Sequence, residues 1–161
     1  MRSEEEVSRV IEEYADTVKR VCFLYLKNYA DTEDIFQRVF LKYALSSAVF
    51  KNSEHEKAWF IRVSINECKD LLKSFFRKNT VPLEEALQQI HTDNNENLEV
   101  MEAVLKLPEK YRNVIYLHYY EGYSAPQIGE ILSKNVNTVY TLLTRARELL
   151  KKELGGDGDG V

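Results

Sequence analysis

Apolar residues recur along most of the chain at steps of three and four, the spacing of one face of an α-helix. Val7, Val10, Ile11, Tyr14, Val18, Val21 and Tyr25 mark a long first helix. A second helix is expected to open at Asp31, which has N-cap chemistry; Glu33 and Asp34 then place negative charge at the positive end of the helix dipole. Its stripe is Ile35, Val39 and Tyr43, widened by Phe36 and Phe40. Ser53-Glu54-His55-Glu56 has the form of a capping box and predicts a third helix. There Ile61, Ile65, Cys68, Leu72 and Phe75 form the expected buried seam.

Val81-Pro82 interrupts this pattern, and the chain stays polar and amide-rich to Asn97, with Gln88-Gln89 and Asn94-Asn95 along the way. Residues 79–97 therefore read as a flexible linker, with room for one short helical turn at 83–90. Helical spacing resumes with Leu98, Met101, Val104 and Leu105. Pro108 suits the first turn of the next helix, which carries Tyr111, Val114, Ile115 and His118 and stops at Gly122. Ser124-Ala125-Pro126-Gln127 is a further capping box, ahead of Ile128, Ile131 and Leu132. After Ser133-Lys134-Asn135 a last helix carries Val136, Val139, Leu143, Ala146 and Leu150. The glycine-rich residues 155–161 predict a disordered tail. With no internal repeat and no sustained alternating pattern, the expected fold class is all-α. Two small helical domains, 1–78 and 98–154, are joined by the linker.

Composition narrows the function. The 161 residues are 44% hydrophobic, enough for globular folding, although two domains of this size would each be marginal. No apolar run approaches the ~18–20 residues that span a bilayer, so no membrane insertion is expected. The acidic stretch Met1 to Glu6 lacks the apolar segment of a signal peptide, and a cytoplasmic location is expected. Cys22 and Cys68 read as reduced, buried thiols. His55, His91 and His118 have no partners at metal-ligand spacing, and no phosphate-binding loop or nucleophile motif is present. The expectation is a protein that is not an enzyme and needs no cofactor or metal.

A net charge of −4 argues at first against a nucleic-acid partner. The distribution reverses that reading. Residues 46–80 hold seven basic and four acidic side chains, residues 106–154 hold eight and five, and residues 81–105 hold six acidic and no basic ones. Positive charge thus gathers in the third helix and the C-terminal helices.

Three constellations fall in or near those segments. The helices at 124–132 and 135–152, joined by a tight turn, have helix-turn-helix form. Asn137, Thr138 and Thr141 can read base edges, with Thr144 and Glu148 on the same face and Arg145, Arg147, Lys151 and Lys152 in reach of phosphates. A plain helical hairpin with a solvated face fits the spacing equally well. Trp59, Arg62, Asn66, Lys69 and Lys73, followed by Arg77, place an aromatic at the head of a basic and amide stripe. That suits single-stranded or distorted DNA; alternatively Trp59 is partly core beside an ordinary charged face. Finally, Asp31 to Phe40 could form a docking helix for a partner protein or a simple amphipathic surface helix.

In this order, the segments resemble bacterial RNA polymerase sigma factors of the sigma-70 family. The compact extracytoplasmic-function (ECF) type, which keeps only the second and fourth regions, is the best match, over residues 4–154. Asp31-Thr32-Glu33-Asp34-Ile35-Phe36-Gln37 resembles the region-two helix that binds core polymerase. Ala58 to Asn66, then Lys69-Asp70-Leu71-Leu72-Lys73, resembles the promoter-melting helix. Leu107 to Arg112, Glu121 to Ser124, Ile128 to Leu132, Asn137-Thr138-Val139 and Arg145-Ala146-Arg147 resemble region four.

The resemblance implies a sigma factor that binds core RNA polymerase and promoter DNA. Asp34, Gln37 and Arg38 would meet the polymerase clamp helices, and region four would rest on the flap. Trp59, Arg62, Asn66, Lys69 and Lys73, with the loop at 46–57, would engage the −10 element. Asn137, Thr138, Thr141, Thr144, Arg145 and Lys152 would engage the −35 element. An anti-sigma factor is an implied further partner. This chain has Arg38 where relatives often carry Glu, Trp59-Phe60 where housekeeping relatives have a Trp pair, and Ser133-Lys134 where Gly and an apolar residue are common. The last difference predicts a slightly altered, less packed turn. Two other classes stay open on the bare residues: a dimeric helix-turn-helix regulator acting without polymerase, and a helical adaptor that binds only protein.

Overall fold

The computed structural model describes residues 1–75 and 98–155. The expected linker at 79–97, the turn at 83–90, Arg77, His91 and residues 156–161 lie outside the described residues. Among the described residues every regular element is a helix. The chain divides into two compact units, Met1–Thr80 and Val81–Val161.

The first unit is built from α1 (Glu4–Leu26), α2 (Tyr29–Leu45) and α3 (Ser53–Phe75), each packed on the other two. A capping box starts α1. Ser3 Oγ accepts from the Glu6 N–H at 3.1 Å, and Glu6 Oε1 accepts from the Ser3 N–H at 3.3 Å. Val10, Tyr14, Val18, Val21 and Tyr25 are buried, as their spacing predicts, while Val7 and Ile11 lie at the margin. Lys27 ends the helix in the left-handed region (φ 52°), its N–H donating to Phe23 O at 2.8 Å. That conformation costs a residue with a Cβ roughly 1–2 kcal/mol, and it reverses the chain at once.

The early reversal moves the second cap. Asn28, not Asp31, is the N-cap of α2: it is the last extended residue, and its Oδ1 accepts from the Asp31 N–H at 2.9 Å. Asp31 sits inside the first turn, where burial first and the charge of Asp34 second push its carboxyl above its ordinary pKa. The cap of α3 moves likewise. Asn52 Oδ1 accepts from the His55 N–H at 3.0 Å, and Ser53 is the first helical residue. Glu56 does not fold back to close a box with Ser53. Its carboxylate is buried against α1, taking hydrogen bonds from Arg9 Nη2 at 2.9 Å, Arg9 Nη1 at 3.2 Å and Tyr14 Oη at 2.9 Å. On α3 Phe60, Ile61, Ile65, Cys68 and Leu71 are buried, and Leu72 is half-buried. Cys22 and Cys68 are buried, and neither is in a disulfide.

The second unit contains α4 (Leu98–Lys106), α5 (Glu109–Ile115), a π-helical turn (Tyr116–Tyr120), α6 (Ala125–Leu132) and α7 (Val136–Gly155). Helix α7 packs on α4, α5 and α6. Val104, Leu105, Val114, Leu117, Ile128, Leu143 and Ala146 fill the core. Pro108 stands just before α5 rather than in its first turn; its carbonyl accepts from Tyr111 and Arg112 at 2.9 and 3.2 Å. The helix then widens, the Glu121 N–H reaching Tyr116 O at 3.1 Å, five residues back. It ends at Gly122, whose φ of +81° favours glycine. Helix α7 runs to Gly155, three residues past the expected end at 152.

Burial would push the Glu56 carboxyl up, but hydrogen bonds from Arg9 and Tyr14 and the charge of Arg9 outweigh it and hold its pKa below the ordinary value of 4.5. The resulting stabilisation is present above the unfolded value and is lost as pH falls through the lower folded value. Glu56→Gln should flatten the first unit's stability between pH 6 and 3, read by the fluorescence of Trp59, the chain's one tryptophan. Glu56→Ala should cost roughly 1–3 kcal/mol, the scale of buried partners left unsatisfied. The larger penalty of a broken buried pair does not apply, because half of the Arg9 side chain remains in water.

Candidate nucleic-acid interface

In the second unit, α6 and α7 form the helix-turn-helix. The capping box is present: Ser124 Oγ accepts from the Gln127 N–H at 3.3 Å, and Gln127 Oε1 accepts from the Ser124 N–H at 2.9 Å. Ser133 adopts the left-handed conformation (φ 56°), and the Lys134 N–H donates to Gly129 O at 2.8 Å. A turn without glycine is therefore formed, but not loosely. A Cβ at Gly129 would stand 2.7 Å from Lys134 O. The bare Gly129 backbone lets the turn close in, while Ser133 and Lys134 are both exposed and add no buried side chain, as expected where an apolar residue is missing.

Asn135 Oδ1 accepts from the Asn137 N–H at 2.8 Å and organises the start of α7. Asn137, Thr138, Thr141, Thr144, Arg145 and Lys152 are all exposed, while Val139, Leu143 and Ala146 are buried on the other side. At about 100° per residue the six exposed positions and Glu148 share roughly a third of the helix circumference. The Thr141 hydroxyl donates to Asn137 O at 3.1 Å, which leaves its oxygen able to accept from a base amino group. Arg147 is held differently: its Nε hydrogen-bonds the Tyr119 hydroxyl, and its guanidinium lies 5.6 Å from that ring's centroid. Tyr140 is 55% exposed, one turn from both Asn137 and Thr144. It extends the same stripe, and the three- and four-residue spacing was the signal for it.

In the first unit, Arg62, Asn66 and Lys73 are exposed along α3 and Lys69 is half-buried. Trp59 is half-buried as well, between its two expected extremes. Its ring meets Phe60 at 5.0 Å, Phe50 at 5.9 Å and Tyr43 at 6.0 Å between centroids, all edge-on. The aromatic head of the stripe is thus a braced corner rather than a free platform. On α2, Asp34, Gln37 and Arg38 are exposed together. Leu41 and Leu45, 59% and 65% exposed, continue their line, one and two turns beyond Arg38. These two were readable as apolar residues lying off the Ile35–Val39–Tyr43 stripe. Among the described residues no helix is long and apolar enough to cross a membrane.

Residues 10–79 match the family Sigma-70 region 2, and residues 97–150 match Sigma-70, region 4. The chain is 31% identical over 137 residues to RNA polymerase sigma factor SigV of Bacillus subtilis, covering 84% of this chain and 82% of that one. It is 28% identical over 166 residues to the ECF RNA polymerase sigma factor SigW of the same species, covering 90% and 87%. Among solved structures it resembles the sigma factor RpoE in complex with the anti-sigma factor NepR from Bartonella quintana. That match has TM-score 0.73 and 17% identity, over 95% of this chain and 99% of that one. It also resembles CnrH in complex with the cytosolic domain of CnrY, with TM-score 0.67 and 22% identity over 96% and 91%. At these identities the structural likeness concerns the fold.

The close approach at Gly129 makes a prediction. Gly129→Ala gains about 1 kcal/mol of helix propensity but forces a backbone carbonyl aside, at a cost of roughly 1–3 kcal/mol. The variant should lose hydrogen-exchange protection across α6 and α7, while the first unit's Trp59 transition stays unchanged.

Proposed function

Because the chain belongs to the sigma-70 family of RNA polymerase sigma factors, we propose that its two units divide promoter recognition between melted and duplex DNA. The chain is a promoter-specificity subunit: it binds core RNA polymerase and directs promoter-specific transcription initiation. Sigma factors are regulatory subunits rather than catalysts. A dimeric regulator acting without polymerase is not favoured, since both halves of the chain match sigma regions.

Residues 1–78 act as region two. The α2 line of Asp34, Gln37 and Arg38 docks on the polymerase clamp helices. The α3 stripe of Arg62, Asn66, Lys69 and Lys73, headed by Trp59, holds the melted −10 element. Opening a duplex costs a few kcal/mol per unstacked step, so an extruded base needs a surface to receive it. The braced aromatic corner beside a cationic stripe supports that role, and it is the observation on which the reading of this unit rests. Residues 98–154 act as region four, with 79–97 as the linker and the residues after Gly155, the last of α7, as a tail. Helix α7 lies in the major groove of the −35 element: Asn137, Thr138 and Thr141 face base edges, Thr144 lies beside them, and Arg145 and Lys152 meet phosphates. The unit also rests on the polymerase flap. Each patch carries few cations, so each alone binds DNA weakly, and polymerase joins them into one bivalent contact.

The protein acts in the cytoplasm, where transcription takes place, and needs no cofactor. An anti-sigma factor is a further partner; a sigma factor of the same fold has been seen bound to one.

Transcription by core polymerase plus this chain from a random promoter library tests the reading. Two enriched elements at fixed spacing are expected; no promoter-specific transcript would overturn it. Trp59→Ala should reduce open complex about tenfold or more on duplex promoter, seen by permanganate reactivity, with polymerase association within about twofold of the parent. Asn137→Ala and Thr141→Ala should each relax −35 base preference by about 1–3 kcal/mol per contacted base pair while changing affinity for random DNA little.

A further inference from the structure

The segment between α2 and α3 carries no regular secondary structure over residues 46–52, yet it forms one wall of the aromatic corner around Trp59. Within it the Ala48 N–H donates to Ser46 Oγ at 2.9 Å, and Asn52 caps α3. Its tie to the rest of the unit comes from far away in the chain. Arg2 Nε donates to Tyr43 O at 2.9 Å, Arg2 Nη2 donates to Ala48 O, and the Arg2 backbone N–H donates to Ala44 O at 3.0 Å. Arg2 Nη1 is 3.4 Å from Glu6 Oε2. The guanidinium carbon lies 4.1 Å from the Tyr43 ring centroid and 6.0 Å from that of Phe50. Only 15% of the Arg2 side chain is exposed.

Tyr43 O and Ala44 O lie in the last turn of α2, where carbonyls lack the usual partner four residues on; Tyr43 O also accepts from the Ser46 N–H at 3.1 Å and has a second lone pair for Arg2. Arg2 takes both, adds a carbonyl from the following segment, and stacks over the ring that meets Trp59. A guanidinium can do this because its donors point several ways from one rigid plane; a lysine has a single ammonium and no such plane.

We infer that Arg2 is a positioning residue for promoter opening. It holds residues 46–50 in place beside Trp59, so that the wall receiving an extruded −10 base is formed before the base arrives. The inference rests on the reading of the first unit given above. Preorganisation of this kind removes the ordering cost of the segment from the binding step. It sharpens discrimination between bases, because a loose wall accepts several bases equally. The α2 line proposed for the clamp contains none of these contacts, so polymerase association does not depend on Arg2.

The test uses holoenzyme reconstituted from core polymerase and the full chain. The variants are Arg2→Ala, Arg2→Lys and, as a stability control, Arg9→Ala, which breaks an α1–α3 tie without touching residues 46–50. The readout is the ratio of open complex on the library-preferred −10 element to that on single-base substitutions of it, taken where Trp59 fluorescence shows each variant folded. Arg2→Ala and Arg2→Lys should both lower that ratio about tenfold, the scale of one charge-assisted hydrogen bond, with polymerase affinity within twofold. Arg9→Ala should keep the ratio within twofold despite a lower melting temperature. A ratio unchanged in both Arg2 variants overturns the inference. So does full retention by Arg2→Lys, or an equal fall in Arg9→Ala. If Arg2→Ala does not fold, Arg2→Lys carries the measurement. Absence of promoter-specific transcription from the parent chain would instead overturn the underlying reading.

Discussion

The Phe60 ring is fully buried and meets rings from all three helices of the first unit. Tyr14 of α1 lies 5.0 Å away between centroids, Phe40 and Tyr43 of α2 lie 5.1 and 5.2 Å away, and Trp59 stands beside it on α3 at 5.0 Å. A unit of this size has little interior, so a few large rings must supply much of its buried area. The placement of α3, and with it the exposed Arg62–Asn66–Lys73 line, depends on that cluster. Four residues before Phe60, the Glu56 carboxylate ties the same helix to Arg9 and Tyr14. Apolar burial sets how closely the helices approach. The buried carboxylate selects one register for α3, since a slipped register would strand a charge in the core.

The second unit meets a different constraint, close backbone approach. Gly129 has no side chain, and the Lys134 carbonyl occupies the place a Cβ would take. That approach turns the chain between α6 and α7, with Ser133 in the left-handed region. Val139, Leu143 and Ala146 can then be buried while Asn137, Thr141 and Thr144 stay outside. The π turn at Tyr116–Tyr120 shifts the register of the preceding helix by one residue. It leaves Tyr119 and Tyr120 exposed, with Tyr119 against Arg147.

On the proposed reading, the two patches suit different forms of DNA. A rigid helix with short hydrogen-bonding side chains fits the edges of stacked base pairs in a groove. An irregular segment beside a braced aromatic corner fits a base that has left the stack. Both are modest in charge, consistent with a subunit whose grip on DNA is completed by polymerase.

The all-α class, the buried faces of α1, α2 and α7, and the polar stripe at 137–152 were legible in the sequence because each depends on spacing within one helix. The motifs that resemble sigma factors were legible for the same reason, each being a short contiguous run. The caps of α2 and α3 were misplaced by one to three residues. The left-handed turn at Lys27 and the burial of Glu56 decide them, and the second answers to partners on another helix. Trp59 could not be assigned to core or surface from its neighbours in sequence, since its exposure is set by Tyr43 and Phe50. Arg2 gave no signal at all: its partners Tyr43 and Ala48 are 41 and 46 residues away. Helical periodicity is a local property written in the order of residues. The grip of one side chain on carbonyls from a distant turn exists only once the helices have packed.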